Sequence, residues 1–512
     1  MGAPASAGRW NKLDTWLLLA VLVLAAGLRI ARLAEPNAVV FDETYYAKDA
    51  CLYLGHTQQF CGLDQATEQS YVHPPLGKWL ISFGIRIFGY NSFGWRFSAA
   101  IFGTAIAGLT YLLTRKLFKD RWAAGVAGAL VATDFLLIVQ SRIAMLDIFL
   151  AFFVLLGFVF LVMDRQRVLL IAEAFSSRVP LGRTAGASEH DAAHEAEIPQ
   201  RGAWWRLAAG VAFGLALAVK WSAIWALIAA VVTAAFWSLE LIIAARKSRA
   251  SFFGPARPAS LLREILVTKV AFLLGPLIVY VGVYAPYFID RINEQCPYTV
   301  PASSNRLFDS DLLNEKEGRC IGGIKGAVTS FGDLQDRMLD YHLTLNAKHT
   351  YQSKAWSWPL VLRPVAYFYE EKAGESTEVI ALGNLATWWG SLAALAWLIY
   401  SSLSKWRPQR LILVAWVAQY LPWLVVSRPL FFFYMTPAVP FMMIGLAVAL
   451  AAAWRYRKWT RWLVLAYLVL GVGAMLVFFY PVIEGVQISR DMWQNHMWIP
   501  LRECGGFKCG WI

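Results

Sequence analysis

Charged side chains are scarce in this sequence. Only 16% of its 512 residues are Asp, Glu, Lys or Arg, where a soluble globular chain carries roughly a quarter. Hydrophobic types reach 58% and the mean hydropathy is +0.48. These figures argue against a soluble enzyme and exclude disorder, collagen and a coiled coil. The six cysteines are too few for a small disulfide scaffold, and none is spaced C-x-x-C, so a zinc ribbon is not indicated. A G-x-G-x-x-G run is also missing, so no dinucleotide fingerprint is present. The net charge of +13 could point to nucleic acid. In so apolar a chain the first question is instead where the positive charges sit relative to a membrane, and no nucleic-acid partner is expected.

Aromatics are plentiful, at 15% with 24 tryptophans, and Trp and Tyr favour membrane–water interfaces. A helix that crosses the hydrocarbon needs about 20 mostly apolar residues, and about eleven such runs can be read. They lie near 14–34, 96–116, 121–140, 145–163, 204–219, 222–245, 266–288, 379–401, 411–427, 430–453 and 461–480. The stretch 79–89 is too short to span and reads as an interfacial helix. The expected fold class is therefore an all-α polytopic membrane protein with interfacial helices on its outer face.

Charge asymmetry orients these spans. Arg115–Arg121, Met163–Arg167, Arg246–Arg263, Lys405–Arg410 and Arg455–Arg461 are short, basic and on one side if the spans alternate. That side is the cytoplasm by the positive-inside rule. Residues 1–13 are then cytoplasmic, 14–480 form the membrane domain, and the tail 481–512 is outside. The first apolar run is long and no A-x-A-like site follows it, so it is expected to remain as a span. Two outer loops cover 35–95 and 289–378, and 164–203 reads as a flexible cytoplasmic linker. His190 and His194 in that linker could bind metal, although a solvated loop is the simpler reading. All six cysteines fall on the predicted outer face. Disulfides persist in such a compartment, and local closure favours Cys51–Cys61, Cys296–Cys320 and Cys504–Cys509.

Chemistry is sought in the outer loops. Asp42 and Glu43 are adjacent carboxylates directly after the first span, an unfavourable place for charge without a partner. On a helix they point in different directions and suit different tasks. One can take a proton from an acceptor hydroxyl while the other positions that acceptor; the plain alternative is a helix cap. His73-Pro74-Pro75-Leu76-Gly77-Lys78 follows, with prolines setting an extended entry and Gly77 allowing close packing. Arg29, Arg32, Arg96, Arg142, Lys220 and Arg428 stand at outer span ends, where the positive-inside rule predicts few cations. Together they suggest an anionic lipid headgroup held through its phosphate. For Arg142 the alternative is a pair with Asp147. The second outer loop carries His342, His349, Trp356 and Trp358, a set that suits an aromatic belt or a sugar and peptide surface. His342 and His349 could share a helix face, but zinc needs more ligands.

The segments FDETYYAKDA, HPPLGKWLI, WRFSAAIFG, SRIAMLDIF, GLALAVKWSAIW and YQSKAWSWPLVLRPVAYFY occur in this order. Together they resemble the protein O-mannosyltransferases, in particular the actinobacterial type, over about residues 14–480. The resemblance implies the GT-C fold, with an active site on the outer face. It implies transfer of mannose from polyprenyl-phosphate-mannose to Ser or Thr of a polypeptide. Asp42 is then the catalytic base, Glu43 helps to bind the acceptor, and Arg96 contacts the donor. Arg29 or Arg32, Arg142, Lys220 and Arg428 are candidates for the carrier phosphate, and His73 and Lys78 belong to a motif without an assigned role. The loop 289–378 is too short for the β-trefoil MIR domain of eukaryotic members.

The implied donor has a β-linked mannosyl phosphate, so in-line attack gives α-linked mannose. Phosphate is a good leaving group, and one base suffices where a glycosidase needs two carboxylates. No metal or other cofactor is implied beyond the lipid-linked donor. Membrane lipid and the secretion translocon are candidate partners. The nearest rival is another GT-C transferase, such as one moving aminoarabinose to lipid A. A transporter would show ionisable residues at mid-membrane and repeated halves, and neither is evident.

Overall fold

The computed structural model describes residues 10–63, 71–178, 204–247, 266–299, 318–403, 408–504 and 507–511. Helix α1 spans Lys12–Ile30, and the Asn11 side chain accepts from the backbone N–H of Leu13 and Asp14 to cap it. Asp14, fully buried, completes the cap and pairs with Arg115 Nε at 2.6 Å. That pair joins the start of α1 to the end of α4 (Ser92–Phe118). Between them lie α2 (Glu43–Leu52) and α3 (Leu76–Phe88), the latter where an interfacial helix is expected.

The run 121–140 is not one straight helix. α5 (Arg121–Ala132) and α6 (Phe135–Arg142) meet at a 55° bend. Asp134 caps α6 through Leu137 N–H and also accepts from the Trp388 indole at 2.9 Å. α7 starts at Leu146 and continues to Arg178, so the first part of the expected linker 164–203 is helical. His190 and His194 lie outside the described residues.

α4, α7 and the helix Val439–Tyr456 form the centre; α7 is 78% buried over its most apolar window. Leu266–Val283 and Lys458–Glu484 are also strongly apolar yet only 17% buried. Their exposed Leu, Val and Ile face lipid, where water is not the solvent and apolar exposure costs nothing. Helix contacts in such a medium rely on close approach of small residues. Gly210 and Gly214, one turn apart on Trp204–Val219, show this. A Cβ on Gly210 would lie 1.7 Å from the Ala271 carbonyl oxygen, and one on Gly214 2.8 Å from Pro276.

Among the described residues, seven helices are long and apolar enough to cross a membrane, and an eighth if α5 and α6 form one bent span. Each of the expected eleven runs overlaps a helix, but Trp204–Val219, Leu385–Ser402 and Pro408–Tyr420 do not meet that measure singly. The run 379–401 begins as strand. Val365–Lys372 pairs antiparallel with Glu375–Ala381, and Ile488–Ser489 adds a third strand. The turn Ala373-Gly374 has positive φ at both residues, as a tight hairpin requires. A hydropathy window merges the strand's Val379, Ile380 and Ala381 with the helix that Asn384 caps.

The chain's end folds back over this sheet. Trp511 is buried, its indole donates to the Val361 carbonyl, and Gly510 N–H donates to Leu362. All three expected disulfides are present: Cys51–Cys61, Cys296–Cys320 and Cys504–Cys509. The native chain is therefore expected to take up no thiol-alkylating label until a reductant is added, then six labels by mass spectrometry. Labelling of the native chain without reductant would contradict the pairing.

Candidate active site

The chain between α1 and α2 has few backbone hydrogen bonds of its own, so side chains must hold it. Arg96 on α4 does so. Its guanidinium donates to the carbonyls of Leu33, Pro36 and Ala38 at 3.3, 2.9 and 2.8 Å. The same group binds both oxygens of Glu43, at 2.8 and 2.9 Å. Glu43 in turn accepts from the backbone N–H of Val40 and of Ala144. Arg96 and Glu43 are both fully buried. With its oxygens filled by four bonds, Glu43 has nothing left for an acceptor, and Arg96 has nothing left for a donor. Both roles expected from the sequence give way to a structural one: the pair anchors the loop and ties α2 to the α6–α7 turn.

Asp42 is left free by this arrangement. It precedes α2 but makes no side-chain cap bond. Phe41 before it has φ +46, a left-handed conformation that costs an L residue roughly 1–3 kcal/mol. Its ring is boxed in by Tyr367, Phe431, Phe433 and His349, with centroids 4.7–6.3 Å away. That packing holds the turn and sets Asp42 beside Tyr46. Burial pushes the Asp42 carboxyl up to about 7, with Asp147 adding to the rise and Lys220 opposing it.

Lys220 starts the short turn after Trp204–Val219, and its Nζ binds both Asp147 oxygens at 2.9 and 3.0 Å. The Arg142–Asp147 pair, the alternative reading of Arg142, is therefore not formed. Arg142 instead binds Glu484 at 2.7 Å, because it ends α6 while Asp147 opens α7 beyond a turn. Gly77 of the HPPLGK segment packs against this point; a Cβ there would be 2.6 Å from Leu146 Cδ2. Lys78 pairs with Asp49 at 2.8 Å, both buried, and so joins α3 to α2.

Lys220 Nζ lies 4.6 Å from the centre of the Tyr434 ring, and Arg428 Cζ 5.9 Å from the same ring. Arg428 Nη1 donates to His342 Nδ1 at 3.0 Å, so His342 Nε2 carries the proton and donates to the Val72 carbonyl. His342 stacks on His73 with centroids 5.3 Å apart. Burial and the neighbouring Arg428 hold His342 down to about 4, and burial with Lys220 holds His73 well below the usual range. Both rings are neutral at pH 7. Among the described residues Arg428 has no ion pair, and His73 Nδ1 has no hydrogen-bond partner.

The six expected phosphate cations thus fall into separate groups. Lys220 and Arg428 lie with Asp42. Arg96 is spent on Glu43. Arg29 is fully buried and donates to Ser141 Oγ and the carbonyls of Ala25, Val131 and Ala132. Arg32 donates to Gly485, and Arg142 is held by Glu484. Trp358 is buried behind the site, with its indole on Ser353 and its edge towards Tyr434. Trp356 is half exposed and packs on Phe507, away from it. His349 lies past the helix Gly323–Thr344 and shares no helix face with His342. Among the described residues no cluster of His, Cys, Asp or Glu has the makings of a metal site; the D-x-D spacing Asp309-Ser310-Asp311 lies outside them.

Tyr46, Asp147, Tyr367 and Tyr434 were not singled out as site residues by the sequence. The Phe431-Phe432-Phe433-Tyr434 run after Arg428 is the one signal that could have marked Tyr434.

Comparison with known proteins identifies the family. Residues 19–177 match the family described as dolichyl-phosphate-mannose-protein mannosyltransferase. Residues 327–501 match the C-terminal four TMM region of protein-O-mannosyltransferase. The polyprenol-phosphate-mannose–protein mannosyltransferase of Mycobacterium tuberculosis is 30% identical over 97% of this chain and 93% of its own. The protein of the same name from Corynebacterium glutamicum is 28% identical over 96% and 94%. A chain of the S. cerevisiae protein O-mannosyltransferase Pmt1-Pmt2 complex, solved bound to the sugar donor, superposes with TM-score 0.69 at 16% identity, covering 98% of this chain and 93% of that one. This chain belongs to the protein O-mannosyltransferase family and has its GT-C membrane fold.

Proposed function

We propose that this chain transfers mannose from polyprenyl-phosphate-mannose to Ser or Thr hydroxyls of polypeptides. The observation that carries this reading is a carboxylate left uncapped beside two cations that converge on one aromatic ring. Asp42 accepts the acceptor hydroxyl's proton as its oxygen attacks the anomeric carbon. The bond from that carbon to the phosphate oxygen breaks on the opposite side, and the anomeric configuration inverts. Arg428, which has no acid of its own among the described residues, and Lys220 hold the leaving phosphate and offset its growing charge. Asp147 keeps Lys220 in position through its two bonds. Two neutral histidines add no competing charge, and His73 Nδ1 is available to accept from a sugar or peptide hydroxyl.

The short basic segments assign the ends of the spans remote from Asp42 to the cytoplasm. Asp42, the disulfides and the C-terminal tail then face outside. Acceptors reach the site there before they fold, which suits work beside the secretion translocon.

Asp42→Asn is expected to lower transfer by about 10²–10⁴-fold, the range of a positioned base, in membranes supplied with labelled donor and a Ser/Thr peptide. Its unfolding midpoint should stay near that of the unaltered chain; full activity in the variant would remove Asp42 from the reaction. The base works deprotonated, so kcat/KM should fall about tenfold per pH unit below about 7 and level off above it. A profile flat from pH 5 to 8 would contradict this. Glu43→Gln behaves differently. Breaking a buried pair costs about 3–5 kcal/mol, so activity and unfolding midpoint should fall together; an inactive variant of undiminished stability would point to a direct role in the reaction.

A further inference from the structure

The segment Trp454–Trp462 joins two apolar helices, Val439–Tyr456 and Lys458–Ala466. The first of these follows the turn that carries Tyr434 and is 18 residues long, about 27 Å at 1.5 Å per residue. The joining corner therefore lies at the end of the molecule opposite Asp42. It holds Arg455, Arg457, Lys458 and Arg461, all exposed, interleaved with Trp454, Tyr456, Trp459 and Trp462, which are 43%, 69%, 56% and 73% exposed.

Corners of this kind are usually loose, but this one is pinned. The Thr460 hydroxyl is buried and hydrogen-bonded to the Arg457 backbone, N–H and carbonyl, and to the Ala453 carbonyl. The guanidinium of Arg457 lies 5.1 Å from the Tyr456 ring centre. That of Arg461 lies 6.0 Å from Trp454, and its Nε donates to the Trp454 carbonyl. Arg455 pairs with Asp120, which brings the α4–α5 turn, with exposed Lys119 and Trp122, alongside. Among the described residues Asp120 is the only acid paired with the corner, and Arg457, Lys458 and Arg461 have no ion pair.

We infer that this corner is a binding site for the headgroup of an anionic glycerophospholipid in the leaflet opposite the reaction site. The positive-inside rule accounts for the sign of the charges. It does not account for guanidiniums held on ring faces, three unneutralised cations within five residues, or tryptophans presented at the same level. Those features match a phosphodiester lying among cations, with its acyl chains beside Trp459 and Trp462. Charge complementarity favours an anionic lipid over a zwitterionic one, which would bring its own cation to a surface already rich in them.

The test uses the full-length chain purified in detergent, titrated with phosphatidylglycerol or phosphatidylcholine and read by native mass spectrometry. The unaltered chain should retain phosphatidylglycerol preferentially. The variant R457Q/K458Q/R461Q should bind it at least about tenfold more weakly, a change of about 1.4 kcal/mol, with phosphatidylcholine binding unchanged. Equal retention of the two lipids by the unaltered chain, or an undiminished preference in the variant, would overturn the inference. Should the variant not fold, thermal stabilisation of the unaltered chain by phosphatidylglycerol vesicles decides. That stabilisation should exceed the effect of phosphatidylcholine vesicles and shrink in about 0.5 M salt, where screening is short-ranged; an excess insensitive to salt counts against the site.

Discussion

The buried pair of Arg96 and Glu43 is the contact on which the site depends. Isolated charges in such surroundings cost several kcal/mol each, and only good geometry with further hydrogen bonds repays that cost. Here the repayment is complete: three backbone carbonyls surround the guanidinium, and two backbone N–H groups complete the carboxylate. A single side chain thereby replaces the hydrogen bonds that an irregular loop cannot make for itself. Because Glu43 is held from α4 and the α6–α7 turn at once, the residue before it has one place to go. Asp42 is aimed by its neighbour.

Around Asp42 the charges are arranged in opposition. Lys220 stabilises its ionised form, Asp147 and burial disfavour it, and the balance keeps the carboxyl near neutrality. Asp147 cannot be dispensed with, since it is also what holds Lys220. Burial, reinforced by Arg428 and Lys220 beside them, holds the stacked His73 and His342 below their usual range. The polar cluster thus combines the Asp42 carboxyl, the Lys220–Asp147 pair, Arg428 and several uncharged donors or acceptors, enclosed by Phe41, Tyr434 and the aromatic run 431–433. Such a cluster can meet a phosphate and a hydroxyl together, and its electrostatics need little rearrangement during reaction.

The two ends of the membrane domain treat cations differently. Near the site, each cation except Arg428 is held by an acid or by backbone carbonyls. At the opposite end, Arg457, Lys458 and Arg461 are exposed and held only against aromatic rings or backbone. On the reading proposed above, lipid supplies the missing anions at that end, whereas at the Asp42 end protein groups supply them for every cation but Arg428. The contrast follows from desolvation. A buried cation needs a protein partner, and one at a headgroup layer does not.

How much of this is legible in the sequence depends on the direction asked about. Hydropathy locates the long apolar helices, and cysteine placement yields all three disulfides, because both depend on position along the chain. The same one-dimensional reading puts Arg29, Arg32, Arg96, Arg142, Lys220 and Arg428 at one depth in the membrane. It does not say which way round the bundle each faces. Only tertiary packing decides that Lys220 and Arg428 share the Tyr434 ring while Arg29 turns to carbonyls of the α5–α6 bend. In the same way Asp-Glu adjacency marks the site, but which carboxylate is spent on structure is settled by α4, more than fifty residues away. The sequence by itself determined a membrane-embedded helical chain with its chemistry at the end of the first span. The structure decided the partners of each charge, because folding brings together groups far apart in the chain.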